Sequence, residues 1–210
     1  MTLRALTTDD MYRANIPERY WPPVGFDQVP DTAPYHARIK KYLREITVFA
    51  GEGVGLFLWA EKNGSGKTAL ACITLRRALQ AGFSGYFIGS SELKEDVLTN
   101  RMDTNDTSVR ERVRTVDFLV LDDFGKEYQG QSGFVENLVE TVIRERVRRK
   151  KITIITSNIG PDQIKTIYST DLADVLKESC YTLKIPGAEA GGKNWRDAGK
   201  EKVKRLMGDT

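Results

Sequence analysis

The chain has 210 residues, of which 40% are hydrophobic and 29% are charged, and its formal net charge is +3. This length and composition are typical of one soluble globular domain with short tails, long enough to bury a core around a five-stranded sheet. They exclude a membrane-spanning helix, since no apolar run approaches the roughly 20 residues that one requires. The N-terminal sequence contains acidic residues and lacks an apolar segment, so it is typical neither of a signal peptide nor of a transit peptide.

Apolar runs alternate with amphipathic stretches along the chain. The helices predicted from 3.6-residue periodicity cover residues 8–14, 35–50, 68–82, 91–116 with a polar interruption, 132–150, 171–179 and 198–207. The strands predicted from continuous apolar runs cover residues 55–60, 85–90, 117–125, 151–158 and 181–185. Between the first two helices, we expect an irregular segment packed on the core. The alternation predicts βαβ units and therefore an α/β fold with a parallel sheet.

The cysteines and the basic residues indicate the redox environment of the protein and the ligands it could contact. Cys72 and Cys180 are far apart and lie among apolar residues, so we expect both to be reduced core residues of a cytoplasmic protein. The sequence has no Cys/His cluster, which argues against a zinc site. Positive charge is dense at residues 144–151 and 193–205, which permits contact with nucleic acid without demonstrating it.

A glycine-rich segment follows the first predicted strand and opens a helix, which is the context of a phosphate-binding loop. Gly64 and Gly66 allow close approaches that a Cβ would block, so loop amides and the helix N-terminus can point at anionic oxygens. Lys67 would place its charge on the β- and γ-phosphates of ATP, and the Thr68 hydroxyl could ligate Mg²⁺. The alternative is a strand–helix turn with a chance Gly-Lys-Thr. The predicted nucleotide-binding residues are Asn63, Gly64, Ser65, Gly66, Lys67, Thr68 and Ala69.

Two acids follow four apolar residues in the third predicted strand. We expect the strand to carry Asp122 to the edge of the sheet beside the loop, where it holds Mg²⁺ through water. Asp123 would orient or deprotonate the attacking water. The alternative is that the two acids are merely exposed at the end of a strand. Their position about 55 residues after the loop, on the next-but-one strand, favours the metal site. A second acid favours ATPases with a catalytic carboxylate over kinases and Ras-like switches.

The fourth predicted strand ends in polar residues and follows a helix with a basic end. Asn158 could lie between the second acid and the γ-phosphate and hold the water, or it could belong to an ordinary Ser-Asn turn. Among the arginines of the preceding helix, Arg146 could reach the γ-phosphate of a neighbouring subunit as an arginine finger. These arginines could instead form a solvated helix face or interact with the helix dipole.

Together these segments resemble the AAA+ ATPases of the DnaC/DnaI helicase-loader family, which includes the IstB transposition helpers. The resemblance covers roughly residues 16–196 and is carried by NGSGKT at 63–68, LVLDDFG at 119–125 and IITSN at 154–158. It implies a P-loop NTPase fold with a five-stranded parallel sheet flanked by helices, little or no lid domain, and ATP and Mg²⁺ as cofactors. In the family an arginine lies about twelve residues before the sensor asparagine, and this spacing leads from Asn158 to Arg146.

The resemblance also implies an organisation and a function. We expect a short N-terminal extension at 1–35, an AAA+ ATPase core at 36–190 and a basic tail at 191–210. The implied function is that of a helicase loader, which binds ATP, Mg²⁺ and single-stranded DNA and recruits a DnaB-like hexameric replicative helicase. Self-association would place Arg146 in trans at a neighbouring ATP site, and no membrane partner is expected. The alternatives are an IstB-like transposition helper and a low-turnover ATP-binding adaptor of a replication protein.

Departures from the family pattern predict slow hydrolysis that depends on assembly or a partner. Glu61 takes the place of the usual first glycine of the loop. The helix after the sensor strand has Asp174-Val175-Leu176 where relatives carry Ser-Arg-Leu, and Lys177 is adjacent. Contacts with DNA would be made to its phosphate backbone and would therefore weaken as the salt concentration rises. The alternative, that the basic residues are only solvated charges on a helix, carries at least equal weight. The candidates are Lys94, Arg101, Arg110, Arg112 and Arg114.

Overall fold

A computed structural model describes residues 3–99, 108–125 and 133–187. Its centre is one five-stranded sheet in the order β2-β3-β4-β1-β5, and every neighbouring pair is parallel. The strands are β1 Gly55–Trp59, β2 Gly85–Gly89, β3 Phe118–Phe124, β4 Ile152–Ser157 and β5 Cys180–Lys184. The predicted five-stranded parallel α/β fold is therefore confirmed.

Helices connect the strands and cover both faces of the sheet. They are α1 Thr8–Arg13, α2 His36–Arg44, α3 Ile46–Glu52, α4 Lys67–Gln80, α5 Ser90–Thr99, α6 Ser108–Thr115, α7 Gly133–Arg148, α8 Pro161–Ile167 and α9 Thr170–Ser179. The helix predicted over 35–50 is two helices that meet at Glu45. The interruption at 100–107 and the helix predicted at 198–207 lie outside the described residues.

Helix α8 was not predicted from the sequence. It has seven residues and begins at Pro161, directly after Gly160. Proline is favoured at the first helical position, where its missing N–H is not needed. Its apolar residues are Ile164, which is buried, and Ile167, and two such positions within seven residues are too few to establish a helical period.

Two apolar clusters lie on opposite faces of the sheet because successive strand side chains point to opposite sides. In β4, Ile152 and Ile154 belong to the first cluster, whereas Ile155 belongs to the second. Both faces are covered, which is why the strands are continuous apolar runs. Cys72 and Cys180 are buried and unpaired, as predicted.

The N-terminal segment packs on the first cluster. Met11, Ala14, Ile16 and Tyr35 are each at most 5% exposed and contact the same core as the strands. Asn15 donates a side-chain hydrogen bond to the Phe87 carbonyl in β2 at 2.9 Å. The prediction of an irregular segment packed on the core is confirmed.

The strand order determines which loops meet. Strand β4 lies between β1 and β3, so the carboxyl ends of these three strands are adjacent. In open parallel sheets, ligands bind in the crevice at these carboxyl ends. No helix in the described ranges has the length and apolar character needed to cross a membrane.

Candidate nucleotide-binding site

The loop between β1 and α4 has the backbone of a phosphate cradle. Gly64 and Gly66 have φ angles of 86° and 96°, in the left-handed region that favours glycine. Gly66 directly precedes α4, so the first amides of this helix face the loop. These orphan amides and the helix dipole together favour an anion at this position.

Lys67 is 6% exposed and lies inside this loop. Its ammonium donates to the carbonyls of Ala60 and Lys62 at 3.5 and 3.3 Å and to the Ser65 hydroxyl at 3.4 Å. These are long hydrogen bonds, so they hold the charge at the centre of the loop while leaving it able to exchange them for phosphate oxygens.

The predicted magnesium ligands lie in contact. The Thr68 hydroxyl donates to the Asp122 carboxylate at 2.9 Å, although the two residues are 54 positions apart. Mg²⁺ prefers hard oxygen ligands and is held through one or two carboxylates together with phosphates and water. A carboxylate oxygen and a hydroxyl oxygen from two different elements therefore fit a Mg²⁺–phosphate ligand.

Thr156 in β4 connects the two acids, and the sequence analysis did not identify it. Its hydroxyl donates to Asp122 at 2.6 Å and accepts the backbone N–H of Asp123 at 3.0 Å. Thr156 is fully buried, and it reaches both acids because β4 is the neighbour of β3. One hydroxyl thus fixes the side chain of the first acid and the backbone of the second.

The backbone of Asp123 departs from regular strand geometry. Its φ is 57°, and the pairing of β3 with β4 shifts register between Leu121 and Phe124. Positive φ is uncommon for residues other than glycine, and such strain concentrates at functional sites. The shift redirects Asp123, so both consecutive acids line one cavity instead of pointing to opposite faces.

Gly125 allows the chain to leave this irregular strand end. Its φ is 100°, and a Cβ there would lie 2.9 Å from the Ile159 side chain. The Ser157 hydroxyl donates to the carbonyl of Phe124 at 2.7 Å and holds the neighbouring residue. The Asp-Asp-Phe-Gly sequence therefore requires glycine at its last position.

Asn158 directly follows β4 and is half-buried. Its Oδ1 is buried and has no hydrogen-bond partner among the described residues. A buried acceptor without a donor costs about 1–3 kcal/mol, so such atoms are usually satisfied by water or ligand. Asn158 is at the correct strand end, but it is not among the residues that line the cavity, and its water-holding role stays a prediction.

The cavity in front of the loop has a volume of about 190 Å³. Six of the seven predicted nucleotide-binding residues line it, together with both acids. The exception is Ser65, which is 1% exposed and accepts from Lys67. The lining residues are Arg19, Tyr20, Asn63, Gly64, Gly66, Lys67, Thr68, Ala69, Asp122 and Asp123.

Arg19 and Tyr20 close the cavity from the N-terminal segment, and neither residue was singled out from the sequence. Burial raises the pKa of the Tyr20 phenol, with nearby Cys72 and Asp122 acting in the same direction. The segment carries no motif. Its aromatic and proline content between residues 16 and 23 was the available signal that it packs on the core.

The prediction that Arg146 acts as an arginine finger is wrong. Arg146 is fully buried, and its guanidinium donates to Thr153 Oγ1 at 3.1 Å and to the Ile152 carbonyl at 2.6 Å. It also donates to the carbonyls of Val113, Val116 and Asp117 at 2.9, 3.0 and 3.4 Å. Burial lowers its pKa to about 9. Arg146 thus joins α7 to β4 and to the start of β3, and it is not presented to another subunit.

The departures from the family pattern have a structural account. Glu61 is exposed and pairs with Lys184 at 2.8 Å, and this ammonium lies 4.6 Å from the centre of the Trp59 ring. The side chain that replaces the first glycine is therefore directed to β5 and does not line the cavity. Lys177 lies 3.9 Å from Asp174 on α9 and is not in the nucleotide cavity either.

The described DNA-contact candidates already have protein partners. Arg112 lies 5.5 Å from the centre of the Tyr86 ring and donates to the Arg13 carbonyl at 3.4 Å. Arg114 pairs with Glu145 at 3.3 Å. Lys94 and Arg110 also have interactions within the chain, and Arg101 lies outside the described residues.

The family model for IstB-like ATP binding proteins matches residues 50–183, which include the loop, both acids and Asn158. The chain belongs to this family. This IstB-like protein is 27% identical to the replicative helicase loader DnaI of Bacillus subtilis over 115 residues. That match covers 55% of this chain and 36% of the DnaI chain, so the protein spans about a third of this relative.

Solved structures share the fold of the IstB-like protein. The crystal structure of the DnaC helicase loader has a TM-score of 0.71 at 24% identity, covering 81% of this chain and 100% of that one. AMPPCP-bound DnaA from Aquifex aeolicus has a TM-score of 0.63 at 17% identity, covering 90% of this chain and 57% of that one. At these identities the likeness shows the fold alone.

Proposed function

We propose that this protein is a magnesium-dependent ATPase that acts as a DNA replication helicase loader. The observation that carries the ATPase part is the 2.9 Å contact between Thr68 and Asp122 at the mouth of the loop. It joins the start of the phosphate-binding helix to the acid of a separate strand, which is the arrangement that Mg²⁺–ATP requires.

Each residue of the site has a separate role in the proposed hydrolysis of ATP. The amides of the loop bind the phosphates, and Lys67 neutralises charge on the β- and γ-oxygens. Thr68 and Asp122 would hold Mg²⁺, which supplies charge stabilisation to the transferred phosphoryl group. Asp123 accepts a proton from the attacking water, while Asn158 orients that water through its unpaired Oδ1.

The helicase-loader part rests on relatives. Bacillus subtilis DnaI is a replicative helicase loader, and the DnaC of the solved structure is a helicase loader. AMPPCP, an ATP analogue, is bound by DnaA with the same fold. By extension, we propose that this chain recruits a DnaB-like helicase, contacts single-stranded DNA through backbone phosphates, and hydrolyses ATP slowly unless it is assembled or bound to its partner.

A transposition helper is the second candidate, because the matching family model takes its name from IstB of IS21. A pull-down with the host replicative helicase, with and without ATP, separates the two. Helicase capture supports the loader. Capture of a transposase instead, with binding to duplex DNA, supports the helper.

ATP turnover with and without single-stranded DNA tests the enzymatic proposal. Wild type is expected to hydrolyse ATP and to respond to DNA, and Lys67→Ala is expected to bind no nucleotide because it removes the charge of the loop. ATP binding without turnover under every condition would favour a low-turnover adaptor over both ATPase candidates.

A further inference from the structure

Arg19 lines the cavity in front of the phosphate-binding loop together with Lys67, Asp122 and Asp123. It belongs to the 3₁₀ turn Glu18–Tyr20, which lies outside the residues matched by the family model. Its guanidinium lies 4.7 Å from the centre of the Tyr20 ring. Within the described residues, no salt bridge engages Arg19, so its charge is available to a ligand in the cavity.

The segment that carries Arg19 is fixed to the same helix that follows the loop. Arg76, two turns along α4 from Thr68, donates to the carbonyl of Tyr20 at 3.0 Å and to that of Val24. The Trp21 indole donates to the Ile16 carbonyl at 2.8 Å and closes the turn. Because both ends of the segment are held, Arg19 has a defined position relative to Lys67 and Thr68.

The charges in the cavity favour a further cation. Asp122 and Asp123 place two carboxylates beside a ligand that itself carries several negative charges, and Lys67 and the proposed Mg²⁺ together offset only part of this charge. An arginine presents a planar fork that matches phosphate oxygens, and it stacks on aromatic rings as Arg19 does on Tyr20. Arg146 is fully buried and is not a lining residue, so Arg19 is the arginine that lines this cavity.

We propose that Arg19 is a phosphate-binding residue that contacts the terminal phosphate of ATP from within the same subunit. This inference rests on the proposed ATPase function. The terminal phosphate is chosen over the others because Arg19 lines the same cavity as the two acids assigned to the metal and the water. Both acids act at the γ-phosphate end of the nucleotide.

The test compares binding of AMPPCP and of ADP, each with Mg²⁺, by titration calorimetry. Arg19→Ala is expected to weaken AMPPCP binding at least about tenfold, the scale of one charge-assisted hydrogen bond. Its ADP affinity should stay within about twofold because ADP lacks the terminal phosphate. Arg19→Lys keeps the charge without the fork, so its loss should be intermediate. Arg38→Ala, at an exposed arginine of α2, is the matched control and should bind as wild type does.

The outcomes separate this inference from the function on which it rests. Equal AMPPCP affinity in Arg19→Ala and wild type would overturn the role of Arg19, and equal losses for AMPPCP and ADP would overturn the terminal-phosphate assignment. If Lys67→Ala abolishes binding in the same experiment, the nucleotide-binding part of the ATPase proposal stands in either case. If wild type binds neither nucleotide, both proposals fail. Arg19 is exposed, so thermal unfolding should show no change that could account for a loss.

Discussion

The Thr156 hydroxyl is the point at which the two acids of the site meet. It donates to Asp122 and accepts from the backbone of Asp123, whose φ of 57° is unusual for this residue type. The Thr68 hydroxyl, on α4, donates to the same Asp122 oxygen. At the residue scale, the site is therefore a short chain of oxygen contacts, and each link can be removed separately.

Thr156→Val removes the hydroxyl while keeping the shape of the side chain. It should lower ATP turnover at least about tenfold and raise the Mg²⁺ concentration needed for half-maximal rate, because Asp122 loses a hydrogen bond that is typically worth about 1.5–3 kcal/mol for a charged group. Thr156→Ser restores the hydroxyl and should restore turnover. Steady-state rates across a Mg²⁺ titration measure both, and equal rates for the Val and Ser variants would show that the hydroxyl does not position the acids.

Asp123→Asn tests the acid that is proposed to accept the proton from the attacking water. Nucleotide affinity should remain within a few-fold of wild type, since Lys67, Thr68 and Asp122 are intact. The hydrolysis rate should fall about 10²–10⁴-fold, the usual contribution of a general base. Single-turnover hydrolysis and fluorescent-nucleotide binding separate these effects. Turnover equal to wild type would remove Asp123 from the proposed mechanism.

At the scale of elements, the buried Arg146 joins helix α7 to its neighbours. Its position repeats the apolar stripe of that helix, because Val139, Val142 and Ile143 precede it at helical spacing and all three are buried. That period was available in the sequence, and it indicates an inward-facing side chain. The family spacing suggested instead that Arg146 reaches a neighbouring subunit. The five acceptors that its guanidinium contacts within the chain show that the side chain points inward.

Arg146→Met is therefore expected to affect stability more than chemistry. It leaves several buried carbonyls without a donor, and the free energy of unfolding should fall by about 3–4 kcal/mol. Arg148→Ala, two residues further along the same helix and exposed, should change it by less than about 0.5 kcal/mol. Urea unfolding measures the difference. A stable Arg146→Met protein that loses turnover alone would return Arg146 to a functional role.

At the scale of the whole molecule, the N-terminal segment and the sheet share one core. Ile16 is 3% exposed and belongs to the cluster that also contains Leu70 and Phe118. The segment carries Arg19 and Tyr20 to the cavity only because it is packed there. We propose that residues 3–35, the described part of the expected N-terminal extension, fold together with the ATPase core.

Ile16→Ala should lower the free energy of unfolding by about 2–5 kcal/mol, as for other large apolar residues of a core. Val48→Ala is the control, because Val48 is 61% exposed and its truncation should cost less than about 0.5 kcal/mol. Chemical unfolding followed by circular dichroism compares the two. Similar small losses would show that the segment folds separately from the sheet.

The local features of this protein were predictable from its amino-acid sequence. The five strands, the glycine-rich loop and the pair of acids were predicted because each depends on a short stretch of consecutive residues. Helix α8 was missed because its seven residues include only two isoleucines, Ile164 and Ile167, which are too few to establish a period.

Contacts between residues that are distant in the sequence were visible only in the folded protein. The placement of β4 between β1 and β3 puts Thr156 between two acids, and the path of the N-terminal segment brings Arg19 to the loop. Arg146, a candidate arginine finger from the sequence, is buried and joins α7 to the neighbouring strands. The physical reason is that such contacts depend on how elements pack over long sequence separations, and no local pattern of side chains records that packing.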